Sequence, residues 1–331
     1  MNDLALAVFA AETGSHLVSE PSTDRYRRFK RDFDCATYRA RLAEQDVRFL
    51  GRFDAEFPPL LEAIHDPPPG LFVRGDAGSD VLCRPAVAVV GARACSTYGS
   101  HVARTLGREL AAAGLVVVSG MARGVDGEAH RGALEAGGTT VAVLGCGVDR
   151  VYPASHAGLA KEIVASGLIV SEYAPGVEPA PWRFPARNRV IAGVASAVVV
   201  VEARERSGAL ITADLALDEG REVFAVPGEI TSALSLGANG LIRLGATLIT
   251  GAGDVLEALG IEASSPPVRP ELDPASRTLF DALRDAPATA DQLVHATGLP
   301  AAQVGPALTI LELTGLVSEG EGLYRVVMPP G

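Results

Sequence analysis

From Pro85 onward, short and uniformly apolar β-branched runs alternate with amphipathic helical segments, which predicts an α/β fold with a doubly wound parallel sheet. Two further observations complete the class. A charge-rich stretch with helical periodicity precedes the sheet region, and three helical segments with a terminal hairpin follow it. Hydrophobic residues make up 48% of the 331 residues and aromatics only 5%, so Ala, Val, Leu and Ile build the core, as in sheets covered by helices on both faces.

In chain order, residues 1–50 read as a small helical domain, with Leu4–Ala11 apolar and Tyr26–Phe49 at helical spacing. Phe53–Gly75 reads as an irregular connector, because Pro58-Pro59 and Pro67-Pro68-Pro69-Gly70 disfavour helix. Strands are predicted at Val87–Val90, Leu115–Val118, Thr140–Leu144, Leu168–Ser171, Ala197–Val201, Glu222–Val226 and Thr247–Thr250. Helices are predicted at Thr97–Ala113, Val125–Ala136, Ser155–Ala165, Ala209–Glu219 and Asp254–Leu259. The sheet domain spans 51–262, and a Pro-rich linker covers 263–273. Residues 274–331 carry helices at Ala275–Leu283, Thr289–Thr297 and Ala301–Thr314, then Leu316–Ser318 and Leu323–Val327. This is the order of a winged helix, with Gly298 at the turn.

Composition excludes several functions. A net charge of −11 argues against a generic polycation, so any anion site must be local. The cysteines Cys35, Cys83, Cys95 and Cys146 form no CxxC pair and the histidines no HxH or HExxH pattern, so no metal is expected. The start lacks a secretory pattern, and no apolar stretch reaches the roughly 18 residues that span a bilayer. These features predict a cytoplasmic protein without a membrane partner.

The chemistry concentrates in strand-to-helix joints, where ligands of doubly wound sheets bind. Gly91-Ala92-Arg93 follows the first sheet strand, with Ser96 or Thr97 able to cap the next helix. It reads as a phosphate site, and equally well as a structural ion pair of Arg93. Ser119-Gly120-Met121-Ala122-Arg123-Gly124-Val125-Asp126 follows the second. With His130 it imitates a hydrolase triad, but no G-x-S-x-G elbow surrounds Ser119, so Asp126 reads as orienting the loop. Gly145-Cys146-Gly147 lacks the third glycine of a dinucleotide fingerprint, and no G-x-x-x-x-G-K-[ST] occurs, so no nucleotide cofactor is expected. Ser207-Gly208 opens another helix, and Pro227-Gly228 and Gly237-Ala238-Asn239 close two more joints. Trp182-Arg183-Phe184-Pro185-Ala186-Arg187-Asn188-Arg189 sets three arginines beside aromatic rings, a combination that holds a phosphate backbone while bases stack. By contrast Ala301–Thr314, in the position of a recognition helix, holds no Lys or Arg, and the wing turn holds Glu319 and Glu321. That unit reads as a protein-contact or regulatory module, or equally as a stabilising appendage.

Together these motifs resemble the DNA-processing protein A family (DprA, also called Smf) from about Phe53 to Leu259. The most specific are Phe184-Pro185-x-Arg187-Asn188-Arg189 and Ser207-Gly208-x-Leu210-Ile211-Thr212-Ala213. Gly91-x-Arg93, Ser119-Gly120-x-Ala122-x-Gly124-Val125-Asp126, Tyr152-Pro153, Val226-Pro227-Gly228 and Gly237-x-Asn239-x-Leu241-Ile242 add to it. The resemblance implies an extended Rossmann-like domain whose basic pocket binds single-stranded DNA, protection of incoming strands in transformation, RecA loading, and a homodimer joined through that domain. It implies no catalysis. By position, Gly91, Arg93, Ser119 and Gly120 would hold phosphate, with Ser207, Gly208 and Asn239 at neighbouring joints. Arg183, Arg187, Asn188 and Arg189 would line the pocket and Phe184 would stack on a base. Many relatives carry lysine just before Phe-Pro, where this chain has Pro181, Trp182 and Arg183. Residues 1–50 would match a sterile-alpha-motif-like domain. Two other functions compete: a nucleotide-processing enzyme of the phosphoribohydrolase class, whose Pro-Gly-Gly-x-Gly-Thr run is broken here at Pro227-Gly228-Glu229, and a pure interaction scaffold.

Overall fold

The computed structural model describes residues 3–14, 19–261, 272–320 and 322–326. Residues Met1–Ile249 form one compact unit and Thr250–Gly331 a second.

The first unit is organised by a nine-stranded sheet: β1 (Val47–Gly51), β2 (Gly70–Arg74), β3 (Ala86–Val90), β4 (Val116–Ser119), β5 (Thr140–Val143), β6 (Leu168–Ser171), β7 (Ala197–Val200), β8 (Glu222–Ala225) and β9 (Thr247–Leu248). The spatial order is β1-β2-β6-β5-β4-β3-β7-β8-β9. Strands β3 to β9 run parallel, whereas β2 is antiparallel to β6 and β1 to β2. From β3 the chain winds outward through β4, β5 and β6, then returns to place β7 on the other side of β3. The order therefore reverses between β4 and β7, flanking β3, which is where a crevice opens beyond the carboxyl ends. Alternate residues divide between two covered faces. Ala88, Val90, Val118, Val143 and Val198 pack in the larger apolar cluster, while Phe72, Ala142 and Ile169 pack in another.

The seven predicted strands and five predicted helices of this region form within a residue or two of their expected bounds. Four expectations change. The helix expected to run to Phe49 ends at Ala43, and Val47–Gly51 is an edge strand. The connector Phe53–Gly75 contains the short helix Pro59–Glu62 and strand β2. Gly70 is required there, because a Cβ would lie 2.3 Å from the Phe49 ring and 2.5 Å from the Leu50 carbonyl. The arginine-rich stretch forms the helix Arg183–Val194, with Pro185 in its first turn, where no intrahelical donor is lost. Gly237–Asn239 lie inside the helix Leu236–Arg243 rather than in a joint.

In the second unit the helices Pro274–Asp285, Ala290–Thr297 and Ala301–Leu313 lead to an antiparallel hairpin of Val317–Gly320 and Leu323–Val326. Thr289 and Gln292 form a capping box, and Gly298 closes the same helix at φ +69°. Leu279, Leu293, Leu308 and Leu311 fill its core. Of the expected linker, residues 263–271 lie outside the described residues, as do Glu321 and Val327.

Candidate nucleic-acid interface

A recess of about 230 Å³ opens at the topological switch point, between the loops after β3 and β7 and the helix Arg183–Val194. Gly91, Arg93, Phe184, Asn188, Ser207 and Gly208 are among its lining residues. A smaller recess of about 50 Å³ shares Arg93, Phe184 and Arg187 with it and adds Arg123, Gly145 and Tyr152.

The loop after β3 is built to present Arg93. A Cβ on Gly91 would lie 2.7 Å from Val125 Cγ2 and 2.9 Å from the Glu202 carbonyl, so only glycine lets the chain turn there. Ser96 caps the helix Thr97–Ala112, accepting from the Gly99 N–H at 3.0 Å. Buried Glu202 accepts from the Ser96 N–H at 2.9 Å and hydroxyl at 2.5 Å, pinning the loop's far end. Arg93 is exposed and makes no ion pair among the described residues, so the structural-pair reading fails. Its guanidinium lies 5.2 Å from the centre of the half-buried Phe184 ring, and the Tyr152 ring, 42% exposed, lies 5.2 Å from Phe184 on its own contact. One cation and two rings thus share a surface, the pairing that suits phosphate and base together.

The other two motif arginines do different work from that expected of them. Arg187 is buried, as is every residue of its helix from Arg187 to Val194. Its Nη1 donates to the Gly120 carbonyl at 3.0 Å and to the Val143 carbonyl, and its Nε donates to Asn188 Oδ1 at 3.3 Å. Burial pulls the Arg187 guanidinium down to about 10, against the opposing pull of the Asp126 charge, and Arg93 adds to the lowering. Asp126 accepts from the N–H groups of Gly120 (3.0 Å) and Ala122 (3.3 Å); burial pushes its carboxyl up and Arg187 opposes that. Arg189 is also buried, bonded to the Glu172 carboxylate and to the Asp66 carbonyl at 2.6 Å, with Asp66 Oδ2 at 3.4 Å. Arg187 and Arg189 therefore fasten loops together: Arg187 lines both recesses as a buried group, whereas Arg189 is not among their lining residues, and neither is the exposed groove-surface cation that the resemblance implied.

Other expected contacts are also committed inside the protein. The Ser119 hydroxyl is buried and donates to the Val89 carbonyl at 2.7 Å, and the Gly120 N–H is taken by Asp126. Gly120 still needs to be glycine, since a Cβ would sit 2.5 Å from an Arg187 nitrogen. Asn188 donates to the Gly208 carbonyl at 3.1 Å, tying the helix to the joint after β7. Ser207 caps the helix Gly208–Asp218 by accepting the Ala209 N–H at 3.2 Å, leaving exposed Gly208 at the recess edge. Asn239 is spent on Gly228, accepting at 3.1 Å and donating at 2.9 Å. Arg183 rests over Trp182 at 4.9 Å and Tyr173 at 5.3 Å and donates to the Glu178 carbonyl. Tyr152 and Arg123 were not singled out as site residues. The placement of Tyr152-Pro153 after a Gly-rich joint was the available signal.

Ser119, Asp126 and His130 form no relay. His130 is buried with Nδ1 2.7 Å from Thr140 Oγ1, and burial pushes its imidazole down to about 3. No group of three metal-ligating side chains and no helix long and apolar enough to cross a membrane occurs among the described residues.

Comparison with known proteins agrees with this architecture. The family described as DNA recombination-mediator protein A matches residues 48–260, and the DprA winged helix domain matches residues 262–322. The DNA processing protein DprA of Streptococcus pneumoniae is 47% identical over 204 residues, covering 60% of this chain and 70% of the relative. Protein Smf of Escherichia coli is 39% identical over 293 residues, covering 85% of this chain and 78% of the relative. The solved structure of the S. pneumoniae protein superposes with TM-score 0.66 at 39% identity, over 77% of this chain and 91% of that one. That of Helicobacter pylori DNA processing protein A, determined for its single-stranded DNA binding mode, gives TM-score 0.58 at 32% identity, over 64% and 95%.

Proposed function

The chain belongs to the DNA recombination-mediator protein A family, and from that premise we propose that it is a non-catalytic binder of single-stranded DNA. The observation that carries this reading is Arg93: exposed, without an ion pair among the described residues, and laid against Phe184 at the mouth of the recess. A backbone phosphate docks on Arg93, and an adjacent base stacks on the surface shared by Phe184 and Tyr152, worth about 1–3 kcal/mol per base. A duplex, whose bases are already stacked and paired, gains only the phosphate contact, and the chain's charge of −11 opposes it elsewhere. The relative from H. pylori, described by its single-stranded DNA binding mode, supports this reading.

In this reading the protein protects incoming strands and helps RecA load on them, in natural transformation and in repair. Filament assembly on long single strands, with Arg93→Ala as the inactive control, tests that step; equal assembly with the variant defeats it. The protein acts as a homodimer through the sheet domain. At the edge strand β9 Leu248 is 46% exposed, and Leu244, which caps the helix just before it, is 84% exposed, an apolar edge that a second copy would cover. Leu244→Glu should sediment as a monomer, and a variant that stays dimeric places the interface elsewhere. The winged-helix unit serves protein contact.

The decisive experiment titrates a fluorescent oligo-dT, and the matching duplex, with purified protein at two salt concentrations. Tight, strand-selective binding that weakens steeply with salt is expected. Absence of binding to either returns the recess to a nucleotide-processing or scaffold role, and base release from nucleoside monophosphates would identify the former.

A further inference from the structure

Outside the recess, the strongest concentration of positive charge lies near the start of the chain. Between Asp24 and Ala43 stand seven cations against three carboxylates, in a protein of net charge −11. The helix Asp24–Asp32 is capped by Thr23, which accepts from the Tyr26 N–H. Its inner face is aromatic: Tyr26 is buried with its ring 5.1 Å from Phe9, and Phe29 lies 5.2 Å from Phe9 and 5.3 Å from Phe33. Arg25, Arg28 and Arg31 recur every three residues and are all exposed. At this spacing they line one side of the helix, roughly 4.5 Å apart along its axis. Arg28 makes no ion pair among the described residues, Arg25 rests 5.8 Å from the Phe9 ring centre, and Arg31 pairs only with its exposed neighbour Asp32. An ordinary solvated face mixes signs more evenly; this one holds charge in reserve.

The fold also places this charge near the recess. Phe33, Cys35 and Tyr38 pack on the apolar cluster that contains Leu144, Cys146 and Val148, residues of the joint that follows β5. Leu144 and Cys146 line the smaller recess beside Tyr152. Burial raises the Tyr38 phenol, the charge of Glu12 raises it further, and that of Asp149 in the same joint adds to it. The helix precedes the residues matched to the family, 48–260.

We infer that the basic face of the helix Asp24–Asp32, formed by Arg25, Arg28 and Arg31, is a second contact for the phosphate backbone of a single strand whose other contact is the recess. The inference rests on the recess reading given above. The strand leaves the recess past Tyr152 and the joint after β5, and continues along this face. Such a contact reads no sequence, since it touches only phosphates, and it lengthens the binding site.

The test uses the full chain, wild type and an Arg25→Gln/Arg28→Gln/Arg31→Gln variant, against an oligo-dT of a few nucleotides and one several times longer. For the long strand, the slope of log affinity against log salt should become shallower by about two, since each lost phosphate contact on a single strand removes roughly 0.7. Affinity for the short strand should stay unchanged, which also shows that the variant is folded with its recess intact. An unchanged slope on the long strand overturns the inference, and assigns the face to something other than DNA, such as an acidic protein surface. Equal weakening on both lengths overturns it too, because the effect would then come from the recess. If the wild type binds neither strand, the recess reading itself has failed, and the inference falls with it.

Discussion

The Gly91–Arg93 loop and the helix Arg183–Val194 both bring arginine to the same recess, but the two arginines do opposite work. Arg93 stands exposed on a short glycine-dependent turn, resting on Phe184 with no carboxylate paired to it among the described residues. Arg187 is enclosed, its Nη1 bonded to the carbonyls of Gly120 and Val143 and its Nε to Asn188, with Asp126 as countercharge. One is exposed and unpaired among the described residues; the other ties its helix to the joint after β4 and to the end of β5. The difference shows that an arginine-rich motif does not by itself locate a binding surface. A buried guanidinium bonded to the protein's own carbonyls shapes the pocket that it lines, and its charge is already partly answered by Asp126.

The comparison is broken most directly at Arg187. Arg187→Ala leaves Asp126 without its countercharge and two buried carbonyls without a donor, so unfolding free energy in urea should drop by about 3–5 kcal/mol. A variant of wild-type stability would return Arg187 to the surface role first expected. Arg93→Ala should do the reverse. Stability should change by less than about 0.5 kcal/mol, while oligo-dT affinity falls by about 1.5–3 kcal/mol, tenfold to a hundredfold. Fluorescence titration checks the second figure, and undiminished affinity would remove Arg93 from the site.

Acid sharpens the contrast from the side of the buried framework. His130, beneath the loop that Asp126 orients, is held at about 3 instead of its free value of 6.5. Its folded value is depressed, so between those limits the unfolded chain takes up a proton that the folded chain refuses. The neutral imidazole therefore costs nothing above pH 6.5, and stability falls as pH drops below it, by about 1.4 kcal/mol at pH 5.5 from this residue alone. An imidazole NMR titration should show His130 neutral at pH 5.5, and a His130 that titrates near 6.5 would contradict its enclosure.

Much of this architecture is readable in the amino-acid order. The strands β3 to β7 are apolar runs that indicate a twice-covered sheet, and the winged helix announces itself through Thr289, Gly298 and the hairpin. What escapes is non-local. Strand β1 hides in a stretch that reads as helix and β2 behind proline density, and the two pair with each other, Phe49 against Phe72. The helix Arg183–Val194 hides behind Pro185, which a first turn tolerates. The burial of Arg187 depends on the loops after β4 and β5 converging on it, over separations of 67 and 44 residues. No local pattern encodes that convergence, so Ser119, Arg187 and Arg189 read as ligand contacts until their internal partners are seen. Arg93, by contrast, is placed by a single short turn whose glycine is visible in the amino-acid order.

The central claim is that a single strand is held on the Arg93, Phe184 and Tyr152 surface. Photocrosslinking with iodouracil-substituted oligo-dT, followed by peptide mapping, tests it most directly, because the excited base couples to aromatic rings in contact with it. Crosslinks should fall on Tyr152 or Phe184 and disappear in Arg93→Ala. Crosslinks confined to residues 272–326, with none at either ring, would place the strand on the winged helix and contradict the claim.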